Sequence, residues 1–325
     1  MRRAIVWAAA VVMGTAMGWR TAAAQDFPAK PITVIVPFAA GGPTDLLARL
    51  VAEKMGATLR QPLTVENVAG AGGTTGSIRA FRARPDGYTV SVGNLGSHAA
   101  ARAYKNIPYD PRDFEPVGLI AWTPVYLAVR KDFPAKTLRE FIDHAKQNPG
   151  RVTNGHAGVG STSQLACLLL TKLTGINMQV MAYAGTGPAM ADLAAGKIDS
   201  MCDQAPTAVP QVRSGAVRAL AVAQKDRSSF TPDVPSADEA GLPEFHARGW
   251  NAMFAPRGTP APVVAALNKA LAAALADPAV KQRIEELGSL APSPEEATPQ
   301  ALKTLVAAEV ERWSRTLQGL PALEP

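Results

Sequence analysis

The common sequence motifs for nucleotide binding and serine hydrolysis are missing from this chain of 325 residues. No Gly-x-x-x-x-Gly-Lys-Ser/Thr run occurs, so a phosphate loop is excluded. The glycine-rich runs 70–75 and 158–163 both fail the dinucleotide pattern Gly-x-Gly-x-x-Gly at its last position. A Gly-x-Ser-x-Gly elbow, which would mark a serine nucleophile, is absent as well. The glycine-rich turns of the chain therefore need another explanation.

Serine and histidine side chains nevertheless leave a secreted hydrolase open as an alternative. Its nucleophile would be Ser161 or Ser97, and its base would be His156 or His98. No carboxylate–His–Ser order supports this alternative. Ser97 and His98 are neighbours in sequence, and neighbouring side chains point apart on an extended segment. We therefore predict that the chain is not an enzyme.

Metal ligands and clusters of basic residues are also scarce. The two cysteines and four histidines show no ligand spacing, so neither a metal site nor another cofactor is predicted. The formal charge of +6 includes Arg2, Arg3 and Arg20, and without them the charge is only +3. Lysine and arginine are scattered, without a basic run or an interleaved aromatic platform. The composition therefore predicts no nucleic-acid partner.

Only the N-terminus carries a long apolar run, and that run is typical of a signal peptide. Arg2 and Arg3 form a basic start, residues 5–18 are apolar, and small residues follow up to Ala24. The apolar run is short and rich in alanine and glycine, which argues against a membrane span. We predict cleavage after Ala24 and an exported, soluble protein. The remaining chain is long enough for two lobes with separate cores.

The most informative segment that is present runs from Pro37 to Asp45. It follows a β-branched run, residues 31–36, that is typical of a buried strand, and it precedes apolar residues at helical spacing. A strand, a glycine turn and a helix start together direct backbone N–H groups and the positive end of a helix dipole at one point. Gly41 and Gly42 would let a ligand approach the backbone closely. Two interpretations stay open for this segment: an anion site, or only a well-capped helix.

The same order of strand, small polar turn and helix recurs along the chain, at residues 69–76, 94–98, 155–163 and 184–188. Such turns favour open parallel sheets, in which ligands bind at the carboxyl ends of the strands. The turns offer backbone N–H groups, hydroxyls and amides but no basic side chains. Such uncharged donors favour a monocarboxylate or a small dicarboxylate as the ligand, whereas citrate would more naturally be bound by arginine or lysine. Two apolar segments, residues 114–129 and 245–254, are predicted to cross between two lobes.

A set of short motifs, taken in order, resembles a known family. The motifs are Pro37-Phe38-Ala39-Ala40-Gly41-Gly42-Pro43-Thr44-Asp45, Glu66-Asn67, Gly70-Ala71-Gly72-Gly73, Pro85-Asp86-Gly87-Tyr88, Pro108-Tyr109-Asp110, Gly155-His156-Ala157-Gly158-Val159-Gly160-Ser161, Tyr183-Ala184-Gly185, Asp233-Val234-Pro235, Gly241-Leu242-Pro243 and Ala255-Pro256-Arg257-Gly258-Thr259-Pro260. Together they resemble the solute receptors of tripartite tricarboxylate transporters, also called Bug receptors. The match extends over essentially the whole chain after the signal peptide.

The resemblance implies the fold and the function. It implies an α/β, type II periplasmic binding protein of two lobes, each a mainly parallel sheet flanked by helices. Lobe 1 would comprise residues 25–125 and 249–325, and lobe 2 residues 126–248. A monomeric periplasmic receptor would close on a small carboxylate and deliver it to the membrane subunits of the transporter. A receptor that reports to a signalling protein instead is the alternative within this class.

The resemblance also implies which residues surround the ligand. The turn 39–44 would hold a ligand carboxylate largely through backbone groups, and the turn 155–163 would face it from lobe 2. The predicted ligand-binding residues are Phe38, Ala39, Ala40, Gly41, Gly42, Thr44, Asp45, Gly72, Gly73, Asn94, Ser97, His98, His156, Ala157, Gly158, Ser161, Thr162, Ser163, Tyr183, Thr186 and Asp203. Asp203 could instead cap the helix that follows it. Gln164 stands where many relatives have histidine, so the identity of the ligand does not carry over.

The two cysteines, Cys167 and Cys202, leave two interpretations open. An oxidising compartment would allow one disulfide, and the alternative is two buried free thiols. In the fold that the resemblance implies, Cys167 lies one turn into the helix after the lobe 2 turn, and Cys202 lies on a strand beneath that helix. We hypothesise that the two form a disulfide that braces the turn.

Overall fold

The computed structural model describes residues 27–100 and 107–318, so the predicted signal peptide, residues 1–24, lies outside the described chain. The strands are β1 (Ile32–Val36), β2 (Leu63–Asn67), β3 (Thr89–Asn94), β4 (Glu115–Thr123), β5 (Val125–Arg130), β6 (Thr153–His156), β7 (Gln179–Ala182), β8 (Ser200–Gln204), β9 (Val217–Val222) and β10 (Gly249–Ala255). The helices are α1 (Pro43–Leu59), α2 (Thr74–Phe81), α3 (Leu95–His98), α4 (Leu138–Gln147), α5 (Thr162–Thr174), α6 (Thr186–Ala194), α7 (Ala205–Arg213), α8 (Ala261–Ala276), α9 (Pro278–Glu286) and α10 (Pro299–Thr316).

The first sheet joins strands from both ends of the described chain, in the order β2-β1-β3-β10-β4. β1 pairs in parallel with β2 and β3, whereas β10 runs antiparallel to β3 and β4. β1 is buried on both faces, which explains why its sequence is continuously apolar apart from Thr33 rather than alternating. Because β1 and β3 are parallel neighbours, the polar turns that follow them meet at one edge of this sheet.

The second sheet repeats the arrangement in the order β7-β6-β8-β5-β9. β6 pairs in parallel with β7 and β8, and β5 runs antiparallel to β8 and β9. Each sheet is therefore mixed. The strands that end in polar turns are parallel as predicted, and the crossing strands oppose them. The predicted α/β fold of two lobes, each with its own sheet flanked by helices, is confirmed.

The apolar segment 114–129 contributes one strand to each sheet. β4 ends at Thr123 and β5 begins at Val125, with Pro124 between them. Proline has no N–H to donate, so the strand ladder of the first sheet stops there. The chain returns at Gly249, the first residue of β10, which pairs in register with Thr123. The two connections between the sheets therefore lie next to each other.

Helices cover both faces of each sheet. In the first lobe, α1, α8 and α9 bury residues such as Leu47 and Leu271 against one face, and α10 buries Trp313 against the other. In the second lobe, α4 and α5 cover one face and α6 and α7 the other. The three C-terminal helices therefore all pack on the first sheet.

Helix α8 is the most apolar of these three helices. Among the described residues, no single helix has the length and apolar content that a membrane crossing needs. α8 and α9 meet that test only as a pair, by length and composition, and the two are bent by 73°.

A disulfide joins Cys167 on α5 to Cys202 on β8, and both cysteines are buried. Their Cα atoms are 5.6 Å apart. Ser163 precedes Cys167 by about one helical turn, and Asp203 follows Cys202 directly. The bond therefore holds the first turn of α5 at a fixed distance from the carboxyl end of β8.

We expect Cys167→Ala combined with Cys202→Ala to lower the free energy of unfolding by about 4 kcal/mol. The two cysteines are 35 residues apart, and the chain entropy regained when that loop is opened accounts for this figure. Urea unfolding followed by circular dichroism measures it. As a control, a reductant present throughout unfolding should remove most of the difference between the two proteins. Alkylation of both thiols in the non-reduced wild type would contradict the bond.

Candidate ligand site between the two lobes

The first turn of α1 presents unbonded N–H groups to the space between the lobes. Gly42 is the N-cap residue and Pro43 follows it, and no side chain bonds to this end of the helix as a cap. Thr44 and Asp45 lie in the first turn, where a backbone N–H has no acceptor within the helix. Gly41 has a φ of +80°, a left-handed conformation that favours glycine. The turn is therefore built as the sequence predicted, with backbone donors at its tip.

The carboxylate of Asp45 stabilises this turn by accepting several hydrogen bonds. Its Oδ2 accepts a hydrogen bond from the Gly41 N–H at 3.0 Å, and Arg49 and Asn67 donate to the same carboxylate. Burial alone would raise the pKa of Asp45, but the bonds from Arg49, Gly41 and Asn67 outweigh burial and hold that pKa below its usual value. The charged carboxylate already takes the Gly41 N–H, so neither group is left for an anionic ligand. In this structure both groups are used within the turn, whereas the prediction placed both at the ligand.

The first turn of α5 faces the same space from the second lobe. Ser161 caps the helix, since its Oγ accepts from the Gln164 N–H and donates to the Gly158 carbonyl. The Ser163 Oγ accepts from the Ala157 N–H at 2.9 Å and lies 3.0 Å from the Ser161 Oγ. Because the Ser161 proton goes to Gly158, the Ser163 proton goes to Ser161. Both serine hydroxyls are therefore used within the turn.

Contacts between the lobes surround this space. The Ala39 N–H donates to the Ala184 carbonyl at 3.1 Å, and the Gly96 N–H lies 3.2 Å from the Thr162 hydroxyl oxygen, which accepts from it. A Cβ at Gly72 would lie 1.7 Å from the Val159 carbonyl oxygen. The backbones of the two lobes thus touch at positions where a side chain would not fit. The structure is a closed arrangement of the lobes.

A small cavity remains inside these contacts, with a volume of about 10 Å³, room for about one water molecule. Its lining comes from both lobes: Phe38, Gly42, Pro43, Thr44, Asn94, Ala157, Ser161, Thr162, Ser163, Thr186 and Gln204. The first turns of α1, α5 and α6 all contribute to it. No lysine or arginine of the described chain lines it. Three positive helix ends therefore converge on a space that holds no positive side chain.

Nine predicted residues line this cavity and twelve do not. Ala39, Ala40, Gly41, Gly72, Gly73 and Gly158 lie in turns around it. Tyr183 points elsewhere, because its hydroxyl donates to the Asp192 carboxylate at 3.0 Å. The remaining five that do not line it are Asp45, Ser97, His98, His156 and Asp203.

His98 is a core residue rather than part of the cavity. Its ring is fully buried and stacks on Phe254 at 4.4 Å, with Phe114 on another side. Burial lowers the pKa of His98 to about 3, so the ring is neutral. Ser97 lies in the same short helix and its Oγ is 3.0 Å from the His98 Nδ1, so the expectation that these side chains point apart is wrong. The segment is helical, not extended.

Within the described chain, these two residues and their counterparts in lobe 2 do not make the contacts of a Ser-His-carboxylate triad. Ser97 is buried and no carboxylate of the described chain hydrogen-bonds to His98. In the second lobe, the Ser161 hydroxyl is committed to Gly158, and no hydrogen bond within the described chain joins it to His156. Burial also lowers the pKa of His156. The arrangement offers neither an accessible nucleophile nor an oriented base.

Asp203 lies behind the cavity, at the carboxyl end of β8, and is fully buried. Its carboxylate accepts from the Thr207 hydroxyl and from the Gln204 N–H, and Thr186 also hydrogen-bonds to it. Burial outweighs these bonds and raises the pKa of Asp203 to about 7. The interpretation of Asp203 as a cap of α7 is wrong, because Gln204 is the N-cap residue of that helix and no side chain caps its first turn. The Asp203 oxygens instead accept from the Gln204 N–H and the Thr207 hydroxyl.

Gln204 is a cavity residue that the sequence did not suggest. It follows Asp203 at the end of β8, and its side-chain Oε1 accepts from Thr123 and from Asn251. No turn motif or glycine marks this position. Only the pairing of β8 with the crossing strand β5 brings it beneath the cavity. One sequence feature could have indicated this residue: it is polar and it ends β8, a central strand of the second sheet.

The family model described as the tripartite tricarboxylate transporter family receptor matches residues 47–321. The chain belongs to this receptor family. It is 46% identical to MatC from Rhodopseudomonas palustris, solved with bound malate, with a TM-score of 0.88 over 90% of this chain and 100% of that one. The periplasmic binding protein BugD is 40% identical, with a TM-score of 0.88 over 92% and 100%. The R. palustris protein Rpa4515, solved with adipate, is 33% identical, with a TM-score of 0.85 over 90% and 98%.

The predicted resemblance is thereby confirmed, and the receptor family consists of solute-binding proteins. The match extends over most of the chain, in both lobes.

The buried carboxyl group of Asp203 should make the stability of this receptor depend on pH. Its pKa in the folded protein lies above the ordinary value of 3.8, so the folded protein keeps a proton that the unfolded chain has lost. Stability from this group therefore declines as the pH rises from about 4 to about 7, by at most about 4 kcal/mol. We expect Asp203→Asn to remove the decline.

Thermal unfolding at pH 5 and pH 8 measures the effect. The melting temperature of Asp203→Asn relative to wild type should be higher at pH 8 than at pH 5. Asp226→Asn, at an exposed position, is the matched control and should show no such change. An equal offset of Asp203→Asn at both pH values would contradict the raised pKa.

Proposed function

We propose that this protein is a solute receptor that captures a small carboxylate between its two lobes. The observation that carries the proposal is the convergence of the first turns of α1, α5 and α6 on one cavity without a basic side chain. Backbone N–H groups at these helix ends suit an anion. A hydrogen bond to a charged group contributes about 1.5–3 kcal/mol, so four or five such bonds would offset the desolvation of a carboxylate. The proposed mechanism has no chemical step.

The relatives support a carboxylate as the ligand class. MatC was solved with malate and Rpa4515 with adipate. In this chain the absence of lysine and arginine from the described cavity lining favours one or two carboxylate groups over three. We propose a monocarboxylate or small dicarboxylate as the ligand.

Capture would proceed by closure of the lobes. A cavity of about 10 Å³ is too small for a dicarboxylate, so groups that line it must move when such a ligand is bound. A ligand that touches both lobes favours the states in which both sets of contacts form, which is a shift of population. The adjacent connections at Pro124 and Gly249 would serve as the hinge. Lobe 1 would then comprise residues 25–125 and 249–325, and lobe 2 residues 126–248.

The receptor would deliver its ligand to the membrane subunits of a tripartite tricarboxylate transporter. Membership of the receptor family supports that partner. We further propose a periplasmic, monomeric protein, exported through a signal peptide that is cleaved after Ala24. A receptor that reports to a signalling protein remains the second candidate, since it would use the same lobes and the same cavity.

A thermal-shift screen tests the proposed ligand class. We expect malate, adipate or another small mono- or dicarboxylate to raise the melting temperature by a few degrees, because a ligand that binds only the folded state stabilises it by mass action. Citrate should raise it less. Uncharged diols of the same length, such as 1,4-butanediol, are the control. A screen in which no carboxylate exceeds the diols would contradict the proposed function.

Closure can be tested separately with Gly96→Ala. A Cβ at Gly96 would lie 2.6 Å from the Gly160 carbonyl oxygen and 2.7 Å from the Thr162 nitrogen, both in the opposite lobe. We expect this variant to fold with nearly wild-type stability but to bind its best carboxylate at least tenfold more weakly by calorimetry, because the lobes cannot close completely.

The matched control for this variant is Gly56→Ala, inside α1, where the nearest atom to a Cβ is 3.3 Å away and belongs to the same lobe. That change should leave affinity unaltered. Wild-type affinity in Gly96→Ala would show that full closure is not needed for binding.

A further inference from the structure

The side-chain amide of Gln204 lies where the cavity meets the connection between the lobes. Gln204 lines the cavity and is 3% exposed. Its Oε1 accepts from the Thr123 hydroxyl at 2.6 Å and from the Asn251 amide at 3.0 Å. Thr123 ends β4 and Asn251 lies in β10, the two strands next to the crossings between the sheets. One side chain of lobe 2 therefore contacts the connecting strands of lobe 1.

The orientation of this amide is fixed by a chain of hydrogen bonds that begins at α3. The Asn94 Oδ1 accepts from the backbone N–H groups of Gly96 and Ser97, at 3.0 and 3.2 Å. A backbone N–H can only donate, so the acceptor end of the Asn94 amide is known. Its Nδ2 must then donate to the Thr44 hydroxyl oxygen, 3.0 Å away.

The hydrogen bonds of Thr44 and Asn251 in turn orient the amide of Gln204. The Thr44 oxygen accepts from Asn94, so its proton goes to the Asn251 Oδ1 at 2.7 Å. Exchanging the ends of the Asn251 amide would leave that proton without an acceptor. The Asn251 Nδ2 therefore donates, and the atom of Gln204 that receives it is the oxygen. The atom left over is the Gln204 Nε2, which can only donate.

No group of the described chain accepts from the Gln204 Nε2. An N–H donor without a protein acceptor in a cavity-lining side chain can be satisfied by a ligand oxygen. The nearby hydroxyl of Thr44 does not compete for the ligand, because its proton is already given to Asn251. The amide of Gln204 is thus a donor of the cavity that the protein orients and leaves unused.

We propose that Gln204 donates to an acceptor oxygen of the ligand, and that Thr123 and Asn251 are positioning residues that hold its amide in the donating orientation. The inference rests on the proposed function and adds a specificity: the ligand group that meets Gln204 is a carboxylate or another oxygen acceptor, not an ammonium group. Because the positioning bonds join the two lobes, a rotation at the hinge would release the amide. Ligand contact and lobe angle are coupled through this side chain.

Gln204→Glu separates ligand contact from a purely structural role. Glutamate keeps an oxygen for Thr123 and Asn251 but places a second oxygen where the N–H groups were. We expect the dissociation constants for malate and adipate, measured by calorimetry, to rise by tenfold to 100-fold or more, as expected for the loss of a bond to a charged group. Gln204→Met should weaken binding by about tenfold. Circular dichroism and melting temperature verify that both variants are folded. Wild-type affinity in Gln204→Glu would overturn the proposal.

The positioning role is tested at Thr123, which does not line the cavity. Thr123→Val removes the donor to Gln204 and should weaken binding by about threefold to tenfold. Thr123→Ser keeps the hydroxyl and should restore wild-type affinity. In the Gln204→Met background, Thr123→Val should have no further effect. An equal loss in both backgrounds would overturn the positioning role.

The binding results for wild type and Gln204→Glu distinguish an error in the role of Gln204 from an error in the proposed function. If wild type binds a carboxylate and Gln204→Glu binds it equally well, only the role of Gln204 is overturned. If wild type binds neither malate nor adipate nor any other carboxylate of the thermal-shift screen, the proposed function is overturned and the role of Gln204 with it.

Discussion

The structure depends on one constraint: the positive ends of three helices meet in a space between the lobes that no lysine or arginine of the described residues lines. Such an arrangement requires that strands from two different sheets end at the same place, because each helix start is held by the strand before it. It also requires glycine where the lobes touch, since a Cβ at Gly72 or Gly96 would collide with the opposite backbone. The two mixed sheets and the glycine turns follow from this requirement.

Two buried carboxylates show how the lobes differ in their electrostatics. Asp45 has Arg49 beside it, and its pKa stays low. Asp203 has only neutral donors, and its pKa rises to about 7. The first lobe therefore carries a compensated negative charge behind its helix end, whereas the second carries a group that is largely neutral in mildly acidic solution. Both arrangements keep net negative charge away from a space suited to an anion.

Much of the fold followed from short sequence patterns, because each strand and helix is marked locally. The run before Pro37 and the helical spacing after Pro43 are local, and they gave the right elements. The position of Gln204 is not local, since it depends on which strand lies beside β8. His98 was assigned to the ligand through the family resemblance, yet stacking on Phe254, 156 residues away in sequence, decides its place. For Gln204 and His98, the partners that decide the position come from distant strands, so no local sequence pattern could place them.

The pairing of Thr123 with Gly249 has a consequence for how the chain is assembled. Directly paired residues of neighbouring antiparallel strands have Cα atoms about 5 Å apart. The second sheet and its helices therefore leave and re-enter the first lobe through a gap that a very short linker could bridge. The second lobe is therefore an insertion between β4 and β10, two neighbouring antiparallel strands of the first lobe. The first lobe is built from segments on both sides of the inserted lobe, and it can be completed only after the inserted lobe has been synthesised.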